Sequence, residues 1–256
     1  MPLLDIYQFM CRSDNFGVLI HDESAGMTAS IDAPEAAAVE AALFQTGWNL
    51  THIITTHHHF DHVEGHEALK QKYGCAIIAP AAEAQKIPMV DETVREGDHF
   101  MFGGFKVEVI ETPGHTLGQV NYFIPDAKVA FTGDTLFALG CGRIFEGTPA
   151  QMWASMKKLK ALPQDTTIYC GHEYTLSNAE FAVSVDPDNA ALLKRFEEIK
   201  ALRADDKPTL PTTMALELET NPFLRVEDAA LRAHLNMSDA SDEAVFTEIR
   251  RLKDNF

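Results

Sequence analysis

Thr56-His57-His58-His59-Phe60-Asp61-His62 places four histidines and a carboxylate within seven residues. The β-branched run His52-Ile53-Ile54-Thr55-Thr56 before it reads as a short buried strand, and Val63-Glu64-Gly65-His66-Glu67-Ala68-Leu69-Lys70 after it reads as the start of a helix. The cluster therefore sits on a loop leaving a strand, where α/β folds carry their chemistry. On an extended chain, side chains two apart point the same way, so His57 and His59 converge and His58 points off. Asp61 and His62 follow the turn and reach a second point. Neutral imidazoles suit zinc, iron, manganese or nickel, and the carboxylate shifts the preference toward a hydrolytic ion and away from a thiolate-bound structural zinc.

Working outward, the N-terminal part alternates strand-like runs with turns: Leu3 to Phe9, Phe16 to His21, and Met27 to Ile31. Pro34 followed by Glu35 to Leu43 predicts a helix that Gly47 closes, and Gly74 stops the helix after the histidine loop. Cys75 to Ala79 reads as a strand, as do His99 to Phe102, Phe105 to Ile110, Gln119 to Ile124 and Lys128 to Phe131. A helix from Pro149, with Thr148 as its N-cap, precedes the strand Thr166 to Cys170. Two batches of strands, each followed by helices, predict an α/β fold of two sheets packed face to face with helices outside. After Glu173 the patterns are helical: Glu180 to Val185, Asn189 to Arg203, Ala229 to Leu235 and Asp242 to Lys253. A boundary is expected there, dividing the chain into 1-173 and 174-256.

The 256 residues are enough for one large domain or for a larger and a smaller one. A formal charge of -17 argues against nucleic-acid and anionic-membrane partners, which need a basic face. Cys11, Cys75, Cys141 and Cys170 lie far apart with no C-x-x-C pair, which fits a reducing cytoplasm. The start, Met1-Pro2-Leu3-Leu4-Asp5-Ile6, lacks a signal-peptide layout, and no apolar run approaches the roughly 18 residues of a membrane span.

Three further strand ends supply residues of ligand type. Thr112-Pro113-Gly114-His115-Thr116 aims an imidazole from a Pro-Gly turn, Phe131-Thr132-Gly133-Asp134-Thr135 leaves a carboxylate at a strand tip, and Tyr169-Cys170-Gly171-His172-Glu173 ends in another imidazole. The combination T-H-x-H-x-D-H, G-H-T, G-D-T and G-H-E resembles the metallo-β-lactamase superfamily. Within it, the Phe137 to Thr148 run, Gly171-His172-Glu173-Tyr174-Thr175, Asn221-Pro222-Phe223-Leu224-Arg225 and Arg250-Arg251-Leu252-Lys253-Asp254 resemble the glyoxalase II, or hydroxyacylglutathione hydrolase, family over essentially the full length.

The resemblance implies an αββα sandwich over 1-173 as the catalytic domain, and a small all-α domain over 174-256 that completes a glutathione site. It implies two divalent ions per chain, zinc first with iron or manganese as alternatives. One would be held by His57, His59 and His115, the other by Asp61, His62 and His172, with Asp134 bridging. Such a pair lowers the pKa of a shared water toward neutrality and polarises a carbonyl. The implied reaction is hydrolysis of the thioester S-D-lactoylglutathione and related S-2-hydroxyacylglutathiones, the second step of methylglyoxal detoxification, with Asp61 and Asp134 orienting the nucleophile.

Arg143, Phe145, Tyr174, Arg250 and Lys253 are the implied substrate-binding residues. Arg250 and Lys253 share a helix face suited to a carboxylate, and Phe145 stands where some members carry tyrosine. The expected partner is a small glutathione thioester, with no nucleic acid, no membrane and a monomeric chain. The alternatives are a lactonase or a persulfide dioxygenase on the same fold, or a metal-binding module without turnover.

Overall fold

A computed structural model describes residues 3–256. The chain divides into two compact units, the first running to Glu111 and taking in Gly118–Gly133, the second made of Thr112–Leu117 and Asp134–Phe256.

In the first unit, β1 (Asp5–Cys11), β2 (Asn15–Asp22), β3 (Met27–Ile31), β4 (His52–Ile54), β5 (Ala76–Pro80) and β6 (Glu92–Val94) form one sheet in that order. The first two pairings are antiparallel and the next three parallel. Parallel neighbours need crossovers: α1 (Ala36–Thr46) lies in the one from β3 to β4, the helical pieces α2 (Phe60–Val63) and α3 (His66–Tyr73) lie in the one from β4 to β5, and residues 81–91 join β5 to β6 without a helix. The two helical crossovers end on a glycine in the left-handed region, Gly47 at φ 74° and Gly74 at φ 66°. Val39 and Leu43 of α1 and Leu69 of α3 pack on Leu19, Ile53 and Ile77 of the sheet. The second set of strands, β7 (His99–Phe102), β8 (Phe105–Glu111), β9 (Val120–Ile124) and β10 (Val129–Gly133), is an antiparallel meander. Strands β2, β9 and β10 are buried along their whole length, which explains their apolar, non-alternating sequences.

The second unit contains a tight pair, β11 (Leu136–Phe137) with β12 (Gly140–Cys141), then α4 (Pro149–Lys160), β13 (Thr167–Cys170), α5 (Thr175–Val185) and α6 (Ala190–Ala204). β14 (Thr212–Thr213) pairs antiparallel with β13, and α7 (Met214–Thr220), α8 (Ala229–His234) and α9 (Asp242–Asp254) follow. Helix α4 opens on the expected Thr148, which forms a capping box with Gln151 ahead of Pro149.

The helix expected from Val63 begins earlier, at Phe60, and breaks before His66. The break lies at Gly65, whose N–H donates to the Ala33 carbonyl at 2.9 Å, with no room for a side chain against Ala33 and Ala36. The strand expected through Thr56 ends at Ile54, because the Thr56 N–H turns to the Asp32 carboxylate at 2.7 Å. Helix α5 starts at Thr175, five positions before the expected Glu180. The strands β6, β11, β12 and β14 and the helix α7 lie outside the expectations. Among the described residues, no helix is long and apolar enough to cross a membrane.

Candidate metal centre

In the first unit the histidine loop leaves β4 and is tied to the end of β3. Asp32 is buried with φ 55°, a left-handed conformation that aspartate tolerates. Its Oδ1 accepts the Thr56 N–H at 2.7 Å, and its Oδ2 accepts the Thr56 hydroxyl and His62 Nδ1–H, each at 2.8 Å. The Thr56 hydroxyl proton is therefore committed to Asp32. Its oxygen then accepts from His57 Nδ1, 2.9 Å away, which leaves His57 Nε2 as a bare nitrogen. His62 is set the same way, with Nδ1 protonated and Nε2 bare, 3.8 Å from Asp61 Oδ2. His57 Nε2 faces His59 Nδ1 at 3.1 Å, and Asn15 Nδ2 donates to Asp61 Oδ2 at 3.1 Å.

His58 takes the opposite direction, as the extended-chain reading expects. Its backbone N–H and Nδ1 both lie on Glu83 Oε2, at 2.7 and 2.8 Å. The buried Glu83 takes the Gly118 N–H on its other oxygen at 3.0 Å, so it ties the histidine loop to the start of β9.

In the second unit His115, Asp134 and His172 meet although they come from three separate loops. Asp134 Oδ2 lies 3.4 Å from His115 Nε2 and 3.4 Å from His172 Nε2, and all three side chains are buried. His115 Nδ1–H donates to the Arg143 carbonyl at 2.8 Å, so its Nε2 lone pair faces the carboxylate. Two lone pairs at that distance need a proton or a cation to complete them. His172 is stacked on Tyr174 with ring centres 4.7 Å apart and planes within 4°.

This donor chemistry fits divalent ions: neutral imidazoles fixed through their other nitrogen, beside carboxylate oxygens. Burial pushes the Cys141 thiol up to about 11 and that of Cys170 higher still.

The metallo-β-lactamase superfamily model matches residues 25–172, and the model of the hydroxyacylglutathione hydrolase C-terminus matches residues 173–256. The hydroxyacylglutathione hydrolase of Brucella anthropi is 64% identical over 255 residues, covering 100% of this chain and 98% of that protein. The chain belongs to the hydroxyacylglutathione hydrolase family. A second relative of that name, from Brucella abortus, is 63% identical over 253 residues, covering 99% of this chain and 98% of the relative. ETHE1 from Myxococcus xanthus shares the fold at a TM-score of 0.70 and 25% identity, over 96% of this chain and 90% of that one. The BLEG-1 B3 metallo-β-lactamase shares it at a TM-score of 0.65 and 20% identity, over 86% and 99%. The expected fold, a metallo-β-lactamase domain followed by a helical C-terminal region, is therefore that of the chain.

The remaining site residues expected of a hydroxyacylglutathione hydrolase all lie in the second unit. Arg143 is exposed, with Nε 3.6 Å from Asp254 Oδ1. Phe145 is exposed and meets the His115 ring edge-on at 5.2 Å. Arg250 is buried: its Nη1 donates to the Cys141 carbonyl at 2.8 Å, and Nη2 donates to Asp254 Oδ1 at 2.8 Å. Lys253 Nζ donates to the Ser177 carbonyl at 3.0 Å and lies 5.3 Å over the ring of Phe181. Sequence reasoning missed Asp32 and Glu83. The one available signal was the Asp32-Ala33-Pro34 stop at a strand end, which resembles the setting of Asp134.

Proposed function

We propose that this chain hydrolyses the thioester of S-2-hydroxyacylglutathiones, S-D-lactoylglutathione first, to glutathione and the free hydroxy acid. Full-length identity of 64% to a relative named for that activity carries the reading. The match of residues 173–256 to a C-terminal region named for the same activity favours it over a lactonase or a dioxygenase. It also supports 1-173 as the catalytic module and 174-256 as the module that completes the glutathione site.

In this reading His57, His59 and His115 would hold one ion and Asp61, His62 and His172 the other, with the Asp134 carboxylate serving both. The Nδ1 hydrogen bonds of His57, His62 and His115, which fix each ring's orientation and tautomer, support this, and zinc suits the imidazole and carboxylate set. Bound ions supply a Lewis acid for the thioester carbonyl and acidify the attacking water. Asp61 and Asp134 accept hydrogen bonds from that water and turn its lone pair toward the carbonyl carbon. The new C–O bond replaces the C–S bond, and glutathione departs as a thiolate with parent pKa about 8.5, needing no strong acid. Arg143, Arg250 and Lys253 meet the tripeptide carboxylates, and Phe145 and Tyr174 flank its backbone. Four buried free thiols support a reducing, cytoplasmic setting, and the enzyme acts as a monomer.

The test is hydrolysis of S-D-lactoylglutathione beside a thioester lacking glutathione, on protein whose metal content has been counted. A fully loaded sample that leaves lactoylglutathione intact overturns the reading.

A further inference from the structure

Residues 137–141 form a buried turn whose backbone polar groups are met, one after another, by side chains of the C-terminal helices. Asn221 Nδ2 donates to the carbonyls of Phe137 and Gly140 at 3.1 and 3.0 Å, and Asn178 Nδ2 to that of Ala138 at 3.1 Å. Glu217 Oε2 accepts the Leu139 N–H at 2.8 Å, and Arg250 reaches the Cys141 carbonyl. Leu139 sits at φ 57°, a conformation that leucine disfavours and that persists only where the surroundings over-determine it. Its side chain is driven into the α5–α6 core beside Ala179, Ala182, Leu192 and Ile199.

Glu217 and Asn221 are themselves held. Both are fully buried, and Asn221 Nδ2 also donates to Glu217 Oε2 at 3.0 Å. Glu217 Oε1 accepts from Arg195 Nη2 at 2.6 Å and from the Thr212 hydroxyl at 2.7 Å. Arg195, also buried, takes Thr220 with its other terminal nitrogen. Taking these charges out of water costs desolvation, which the hydrogen bonds within the network offset.

The turn lies between two parts of the candidate site. Asp134 precedes it, and the Gly142 N–H donates to the Thr135 carbonyl at 3.0 Å. Arg143 follows it, and the Arg143 carbonyl fixes His115. We propose that Glu217 and Asn221 are positioning residues: they clamp the 137–141 turn and so set Asp134, His115 and Arg143 from behind. The role assigned to Arg143 rests on the proposed thioesterase reading; the effect on Asp134 and His115 does not.

The test compares Asn221→Ala with Leu192→Ala, which opens the same helical core beside Leu139 but leaves every side-chain hydrogen bond to the turn in place. Zn2+ affinity is measured by competition with a chromophoric chelator, without substrate, and kcat and KM for S-D-lactoylglutathione are read well below both melting temperatures. Asn221→Ala is expected to lose about tenfold or more in Zn2+ affinity and in kcat, while Leu192→Ala keeps both within about twofold. Glu217→Gln, which retains the shape and an acceptor, should fall between them. Unchanged affinity and kcat in Asn221→Ala, or equal losses in Leu192→Ala, overturn the proposal. If Asn221→Ala does not fold, Asn178→Ala, which frees only the Ala138 carbonyl, is read by the same criteria. Should the parent protein itself leave lactoylglutathione uncleaved, the thioesterase reading fails while the affinity arm still decides the positioning role.

Discussion

Asp32 Oδ2 accepts the Nδ1–H of His62 at 2.8 Å and, through the Thr56 hydroxyl, also governs the proton on His57. One carboxylate thus holds two histidines, thirty and twenty-five positions further along the chain, in the tautomer that leaves Nε2 bare. Removing such an outer partner usually costs about 10–100-fold in metal affinity. Asp32→Ala is expected to lose Zn2+ affinity in that range while its circular dichroism stays that of the parent. Chelator competition showing equal affinity for both proteins would separate Asp32 from the metal centre.

The proposed ligands should behave differently from their supports. His59→Ala and Asp134→Ala are each expected to lose bound metal and turnover together, by more than the about 10–100-fold that an outer partner costs. Metal counted by atomic spectroscopy and initial rates on the same samples make the comparison. Full metal content with full activity in either variant contradicts its assignment.

Lys253 carries a pH dependence of its own. Burial and the neighbouring Arg250 guanidinium pull its amine down to about 8, with Glu180 partly opposing them. The charged form needed for an anionic tripeptide therefore prevails below about pH 8 and is lost above it. KM for lactoylglutathione should rise several-fold between pH 7 and 9, and in Lys253→Ala it should be raised at pH 7 and flat through this range. An unfolded amine titrates near about 10.4, so between that value and about 8 the unfolded chain binds more protons. Stability from this group accordingly increases with pH across the same window. A KM that responds to neither pH nor substitution places Lys253 outside the substrate site.

The loops that carry the proposed ligands were legible as strand-end turns because each is short, begins at a strand end and contains its own turn chemistry, as in Pro113-Gly114-His115 and Gly171-His172. Their supports were not. The bond from Asp32 to His62 joins the end of β3 to α2 through tertiary packing, and Asp-Ala-Pro by itself reads as a turn. Strands β11 and β12 are two residues each, too short to show a period, and a leucine at φ 57° contradicts local preference. That conformation is imposed by Glu217, Asn221 and Asn178, far along the chain. The helix break at Gly65 is likewise set by the Ala33 backbone, which no periodicity within 63–70 reveals. Helix termini fared better, since the Thr148 box and the glycines at 47 and 74 act locally.

Gly142 offers a test of how closely the second unit's donors are packed. A Cβ there would lie 1.9 Å from the Asp134 carbonyl oxygen and 3.4 Å from His115 Nδ1. The obstacle is backbone, not the tip of a flexible side chain, so Gly142→Ala must displace either the turn or Asp134. Overpacking of this kind costs about 1–3 kcal/mol, visible as a lower Tm. Lower stability alone does not implicate the site, so the control is Gly26→Ala. Gly26 lies at φ 60° with open space around it, and an alanine there pays roughly 1–2 kcal/mol of left-handed strain. Both variants should melt earlier, but only Gly142→Ala should lose Zn2+ affinity and kcat. If the two lose stability and keep their metal alike, the approach of residue 142 to Asp134 is a packing constraint without consequence for the ions.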